Sequence, residues 1–90
     1  ALFSSMIPAV TPESIEVYHK YGLYDGTLAD VAILSSDGAS YAISIYTKNK
    51  DDSDDAARIS VIREIAATSI SHLFDGTTPL SPTSATSLSD

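Results

Sequence analysis

Apolar and polar residues alternate over residues 14–20, and this period of two predicts a strand with one buried face. His19 lies on the side of Ile15, where we expect a packed, hydrogen-bonded strand histidine rather than a catalytic base. Gly22 and Gly26 follow and are expected to break the strand. The first element is therefore a short strand that ends close to residue 20.

Two further strands are predicted to form an antiparallel hairpin. Residues 29–34 are nearly continuous in apolar character, which is typical of a strand covered on both faces. Asp37-Gly38 follows and suits a tight turn, because both residue types tolerate a positive φ. Residues 40–48 then alternate between apolar and polar types, as the second strand of a hairpin does.

A helix is predicted over residues 53–74, because apolar residues recur there at spacings of three and four. The positions of this single stripe are Ile59, Ile62, Ile65, Ala66, Ile70 and Leu73. Arg58 and Arg63 fall off the stripe in this interpretation. The helix therefore has one apolar side, and we expect that side to lie on the hairpin.

Strand, strand, strand and helix in this order predict an α+β fold, with three antiparallel strands and a carboxy-terminal helix packed on the sheet. One helix covers one sheet face only, whereas residues 29–34 are apolar on both. We therefore expect more protein to cover the second face. Residues 1–76 are interpreted as the structured portion, and residues 77–90, rich in Ser, Thr and Pro, as a disordered tail.

The chain has 90 residues, a formal net charge of −7, two histidines and no cysteine. The negative charge argues against a nucleic-acid partner, and the composition excludes a zinc site of the usual Cys/His kind. No run approaches the roughly 20 apolar residues that span a membrane. We expect no metal and no cofactor.

Acidic residues cluster just before the predicted helix, at Asp51, Asp52, Asp54 and Asp55. Carboxylates near a first turn interact favourably with the helix dipole, and Ser53 or Asp54 is a suitable cap. The spacing lacks the alternating ligands and central glycine of a calcium loop. Gly76 stands where a left-handed cap is expected to end the helix.

Residues 18–22 read Tyr-His-Lys-Tyr-Gly and resemble the Lys-Thr-Gly strand motif of class A β-lactamases and penicillin-binding proteins. Residues 28–34 are similar to the next strand of that family, residues 38–48 to its closing strand, and residues 55–73 to its carboxy-terminal helix. A Lys-x-Gly tripeptide is common by chance, so the order of the four pieces carries the resemblance. It covers residues 13–74.

The resemblance implies the carboxy-terminal portion of a β-lactamase/transpeptidase-like fold, from a serine hydrolase that acts on β-lactams or peptidoglycan peptides. It implies a catalytic role for Lys20 and substrate binding by Tyr21 and Gly22. Tyr21 departs from the family, because it puts a bulky phenol where a small hydroxyl residue usually stands. By residue type alone, Lys20 is also typical of a solvated lysine at a strand end.

The chemistry of this family needs a Ser-x-x-Lys helix turn and a Ser-Asp-Asn loop as well. Neither occurs in the sequence, so whether the protein is an enzyme stays open at this point. The resemblance implies that an amino-terminal portion of the same domain supplies them, and that the protein is exported to the bacterial periplasm or cell surface. The alternatives are a non-catalytic cell-envelope binding module of the same fold and an autonomous small interaction domain.

Overall fold

The computed structural model describes residues 5–48, 55–74 and 78–82. Its elements, in chain order, are a 3₁₀ helix (Ile7–Val10), strands β1 (Glu16–Tyr24), β2 (Thr27–Ser36) and β3 (Ala39–Lys48), and helix α1 (Asp55–Leu73). The strands form one antiparallel sheet in the order β1-β2-β3. The 3₁₀ helix and α1 pack on one face of it, which confirms the predicted α+β fold.

Strand β1 is longer than the sequence pattern predicts. Gly22 does not end it, because Gly22 pairs with Ala29 of β2 and the strand continues to Tyr24. The chain reverses only at Asp25 and Gly26, which take φ values of 49° and 76°. Positive φ at both turn residues matches the twist of the flanking strands. The two-residue turn therefore reverses the chain without ending β1 at Gly22.

The β2–β3 hairpin is confirmed, with Asp37 and Gly38 at φ values of 50° and 81° in its turn. The register sorts its side chains onto two faces. The face beneath α1 is buried and carries Leu28, Asp30, Ala32, Leu34, Ile43 and Ile45. On the opposite face Val31 is 38% exposed and Ile33 52% exposed, so the described residues cover this strand on one side only.

The buried side of α1 differs in part from the predicted stripe. Ile59, Ile62, Ala66 and Ile70 are buried as expected. Ile65 is 44% exposed, so its assignment to the stripe is wrong. With 3.6 residues per turn, Ile65 lies about 100° around the helix from Ala66, beyond the contact with the sheet.

Arg58 and Arg63 are both buried, with 3% and 4% of their surface exposed. The prediction that both fall off the buried stripe is therefore wrong. Arg58 Nη1 donates to Gly26 O at 2.8 Å, and its Nη2 pairs with the Asp55 carboxylate. Arg58 thus fastens the start of α1 to the turn between β1 and β2, because the carbonyl and the carboxylate compensate the buried charge.

Arg63 makes the corresponding link in the middle of α1. Its Nε donates to Ser5 O at 2.6 Å, and its Nη2 donates to Ser5 Oγ at 2.5 Å. Burial lowers the pKa of Arg63, since desolvation disfavours the charged guanidinium. Both hydrogen bonds oppose that cost and tie α1 to the segment that leads into the 3₁₀ helix.

Several expectations concern residues at the ends of the elements. The predicted caps at Ser53, Asp54 and Gly76 lie outside the described residues. Of the predicted tail, residues 78–82 are described, and Leu80 N–H donates to Val10 O at 3.0 Å. Within the described ranges, no helix has the length and apolar character needed to cross a membrane.

The helix face gives a direct test by paired substitutions in the full-length protein. Ile62→Ala should lower the free energy of unfolding by about 2–5 kcal/mol, because it opens a cavity in a fully buried site. Ile65→Ala should change it by less than about 0.5 kcal/mol, as peripheral substitutions do. Urea unfolding of both variants measures the difference. Equal losses would mean that α1 does not dock on the face described here.

Candidate functional site

The three candidate residues lie in the middle of β1, which is an edge strand within the described part of the sheet. Lys20 pairs with Val31, Tyr21 with Asp30, and Gly22 with Ala29. Successive side chains of a strand point to opposite faces. Lys20 and Gly22 therefore share the open face, whereas Tyr21 is on the side of α1.

Lys20 is exposed and stands among apolar side chains on the open face. Together with Tyr18, Val31 and Ile33 it lines a shallow depression of the sheet. An ammonium group offers three donors and a full positive charge, and nearby apolar surface lowers the local dielectric. This arrangement can attract a carboxylate whose remaining atoms lie on the apolar strand surface.

Gly22 leaves the strand surface bare beside Lys20. A β-carbon at this position would meet nothing within 4 Å, and Gly22 is not among the glycines with positive φ. Neither backbone conformation nor crowding by the described residues calls for glycine here. Glycine in a strand interior weakens the strand and often marks the close approach of a ligand or another backbone.

Tyr21 is 47% exposed and belongs to the helix side of the strand edge. The structure thus brings Lys20 and Gly22 together and turns Tyr21 away from them. The assignment of catalysis to Lys20 and of substrate binding to Tyr21 and Gly22 stays a prediction. Among the described residues, no three His, Asp or Glu side chains form a cluster that could hold a metal ion.

A polar contact lies behind Lys20, on the helix side of the sheet. Asp30 is fully buried, and its Oδ1 lies 2.7 Å from His19 Nδ1. Its Oδ2 accepts a hydrogen bond from Ile7 N–H at 2.9 Å. The expectation of a packed, hydrogen-bonded His19 is confirmed. The role of Asp30 was missed, although an acid inside an otherwise apolar strand was a visible signal.

A comparison with protein families gives a match that covers most of the chain. A family model described as "Beta-lactamase enzyme family" matches residues 1–73. This range includes the 3₁₀ helix, all three strands and the whole of α1. No curated protein and no solved structure matches the chain.

Two glycines of the sheet form a matched pair for a stability test. Gly22→Ala should leave the free energy of unfolding unchanged or raise it by up to about 1 kcal/mol, because alanine restricts the unfolded chain and fits here without strain. Gly38→Ala should lower it by about 1–2 kcal/mol, because φ is +81° although the space is equally open. Urea unfolding of the full-length variants is the measurement. A large loss at Gly22 would show that crowding or strain requires glycine there.

Proposed function

The chain belongs to the beta-lactamase enzyme family, and from this premise we propose that it is the carboxy-terminal part of a serine hydrolase domain acting on β-lactams or peptidoglycan peptides. The observation that supports this function best is the placement of Lys20 and Gly22 side by side on the open face of an edge strand. They occupy the positions of lysine and glycine in the Lys-Thr-Gly motif that the sequence resembles.

The chemistry of the proposed reaction is acyl transfer through a serine ester. The serine oxygen attacks the carbonyl carbon of the substrate and loses its proton to a base, and the amide nitrogen leaves with a proton. Water then hydrolyses the ester. Lys20 would contribute its positive charge beside the nucleophile and the substrate carboxylate, a preorganised electrostatic contribution that favours the transition state.

The edge of β1 suits an extended peptide or a β-lactam that mimics one. Its outer backbone N–H and C=O groups have no strand beside them in the described sheet, so a substrate can add to the edge by backbone hydrogen bonds. Gly22 supports this function, because the absence of a side chain allows a substrate to approach the backbone next to Lys20.

The exposed apolar residues on the open face support the proposal that another part of the protein packs there. Tyr18, Val31, Ile33 and Tyr46 are exposed there, and a contiguous apolar surface on a sheet normally marks an interface. We assign the cover to the amino-terminal portion of the same domain, which would carry the Ser-x-x-Lys and Ser-Asp-Asn elements. Because peptidoglycan lies outside the cytoplasmic membrane, the proposal includes export to the periplasm or cell surface.

Tyr21 favours a second function, a non-catalytic cell-envelope binding module of the same fold. The family pattern has a small hydroxyl residue here, whereas Tyr21 is bulky. Such a protein would retain the depression beside Lys20 and would bind a carboxylate-bearing peptide there without forming an ester. The two functions differ in whether a covalent intermediate forms.

The enzyme function is tested in the full-length protein, meaning this chain joined to the proposed amino-terminal portion of the domain. The measurement is single-turnover labelling with a fluorescent penicillin. Lys20→Ala should slow acylation by about 100-fold or more, the scale for removal of one preorganised stabilising group. Tyr21→Thr should leave the rate unchanged or raise it by restoring a small hydroxyl. Lys48→Ala is the matched control, since Lys48 is an exposed strand lysine on the same face at the far end of β3.

Each alternative gives a distinct outcome in this experiment. Wild-type protein that acquires no label, yet binds penicillin reversibly, would favour the binding module. Labelling that proceeds equally fast in the Lys20→Ala and Lys48→Ala variants would show that Lys20 does not take part.

A further inference from the structure

A buried carboxylate joins three segments directly behind the candidate site. Asp30 of β2 accepts from Ile7 N–H at the start of the 3₁₀ helix and contacts His19 Nδ1 of β1. The distance of 2.7 Å between Asp30 Oδ1 and His19 Nδ1 is that of a hydrogen bond. The contact therefore fixes the orientation of the His19 ring.

Burial of Asp30 costs free energy, so stabilisation of the fold alone does not explain an aspartate at this position. Its neighbours on the helix side of the sheet are Leu28, Ala32 and Ile45, all buried, and its partner on β1, Tyr21, which is 47% exposed. A buried carboxyl group loses its hydration, and apolar residues of similar volume often stabilise a core as well or better. Asp30 is better explained by the two groups that it holds in place, Ile7 N–H and the His19 ring.

His19 lies at the boundary between the partly buried and the exposed side chains on the helix side of β1, whose backbone pairs with β2 as far as Tyr24. On the helix side of this strand Val17 and His19 are partly buried, whereas Tyr21 and Leu23 are 47% and 48% exposed. His19 is thus the last helix-side residue of β1 whose side chain is largely buried, with 18% exposed. Lys20 follows it immediately on the other face, so rotation of the strand at His19 would redirect the Lys20 side chain.

We propose that His19 and Asp30 are positioning residues for Lys20, a role that rests on the proposed function of Lys20. Asp30 holds the His19 ring, and the ring fixes the rotation of the edge strand at the point where the lysine leaves it. The Ile7 hydrogen bond in turn holds Asp30 from the other side. Sub-ångström placement of a charged group matters, because a misplacement of about 1 Å can cost about 100-fold in rate.

The test uses the full-length protein with two substitutions of the same histidine. His19→Leu removes the ring nitrogen that contacts Asp30 Oδ1, whereas His19→Asn retains a side-chain nitrogen close to the position of Nδ1. His72→Leu is the matched control, because His72 is an exposed histidine in the last turn of α1. For each variant, acylation by a fluorescent penicillin is measured at saturating concentration and divided by the folded fraction from urea unfolding.

The expected result is a fall of about 10-fold to 100-fold in the saturating acylation rate of His19→Leu per folded molecule. His19→Asn should recover most of the rate, and His72→Leu should match the wild type. A purely structural role would lower the folded fraction and leave the rate per folded molecule unchanged. That outcome would overturn the proposal even if Lys20→Ala abolishes labelling.

Amide hydrogen exchange at residues 20–22 supplies a measurement that does not depend on activity. His19→Leu should speed exchange there by about 10-fold relative to His72→Leu, because the anchored strand opens more often. If the wild-type protein acquires no label, the proposed function fails, and faster exchange would still show that His19 anchors the Lys20 segment. Unchanged exchange in His19→Leu would contradict the positioning role.

Discussion

Leu28 and Leu34 of the sheet and Ile62 and Ile70 of α1 belong to one apolar cluster, and all four are fully buried. Burial of side chains of this size contributes about 1.5–3 kcal/mol each, whereas a whole domain is stable by only about 5–15 kcal/mol. The packing of α1 on this face therefore holds the three strands in register. Because it uses one face only, it leaves Lys20 and Gly22 on the other.

Buried polar side chains link α1, the segment before β1 and the sheet through hydrogen bonds. Arg58 joins the start of α1 to the β1–β2 turn, and Arg63 joins its middle to Ser5. Asp30 then links the 3₁₀ helix to His19 on the edge strand. The helix, the segment before β1 and the candidate site are thus connected by hydrogen bonds whose geometry is directional, unlike the apolar contacts around them.

The alternation and the helical spacing predicted the hairpin, the helix and the packing of the helix on the sheet. They misplaced Arg58 and Arg63, because a pattern that assigns charged residues to the surface does not detect a buried guanidinium that donates to a backbone carbonyl. Gly22 was predicted to end β1, because glycine has a weak preference for strands. The hydrogen bonds of β1 to β2 outweigh that preference. The residue order gave Lys20 and Gly22 as candidates. The separation of Tyr21 from them depends on the continuation of β1 to Tyr24, which the sequence pattern did not predict. The groups that would complete the site are not in this sequence.

The central claim is that the open face with Lys20 is completed by another part of the same domain. Hydroxyl-radical footprinting of the full-length protein tests it at Tyr18 and Tyr46, which are largely exposed on that face here. The account predicts that both tyrosines are oxidised much more slowly than a freely exposed tyrosine, because another part of the domain covers them. Oxidation of Tyr18 and Tyr46 at the rate of freely exposed tyrosines would show that nothing covers the face and would contradict the claim.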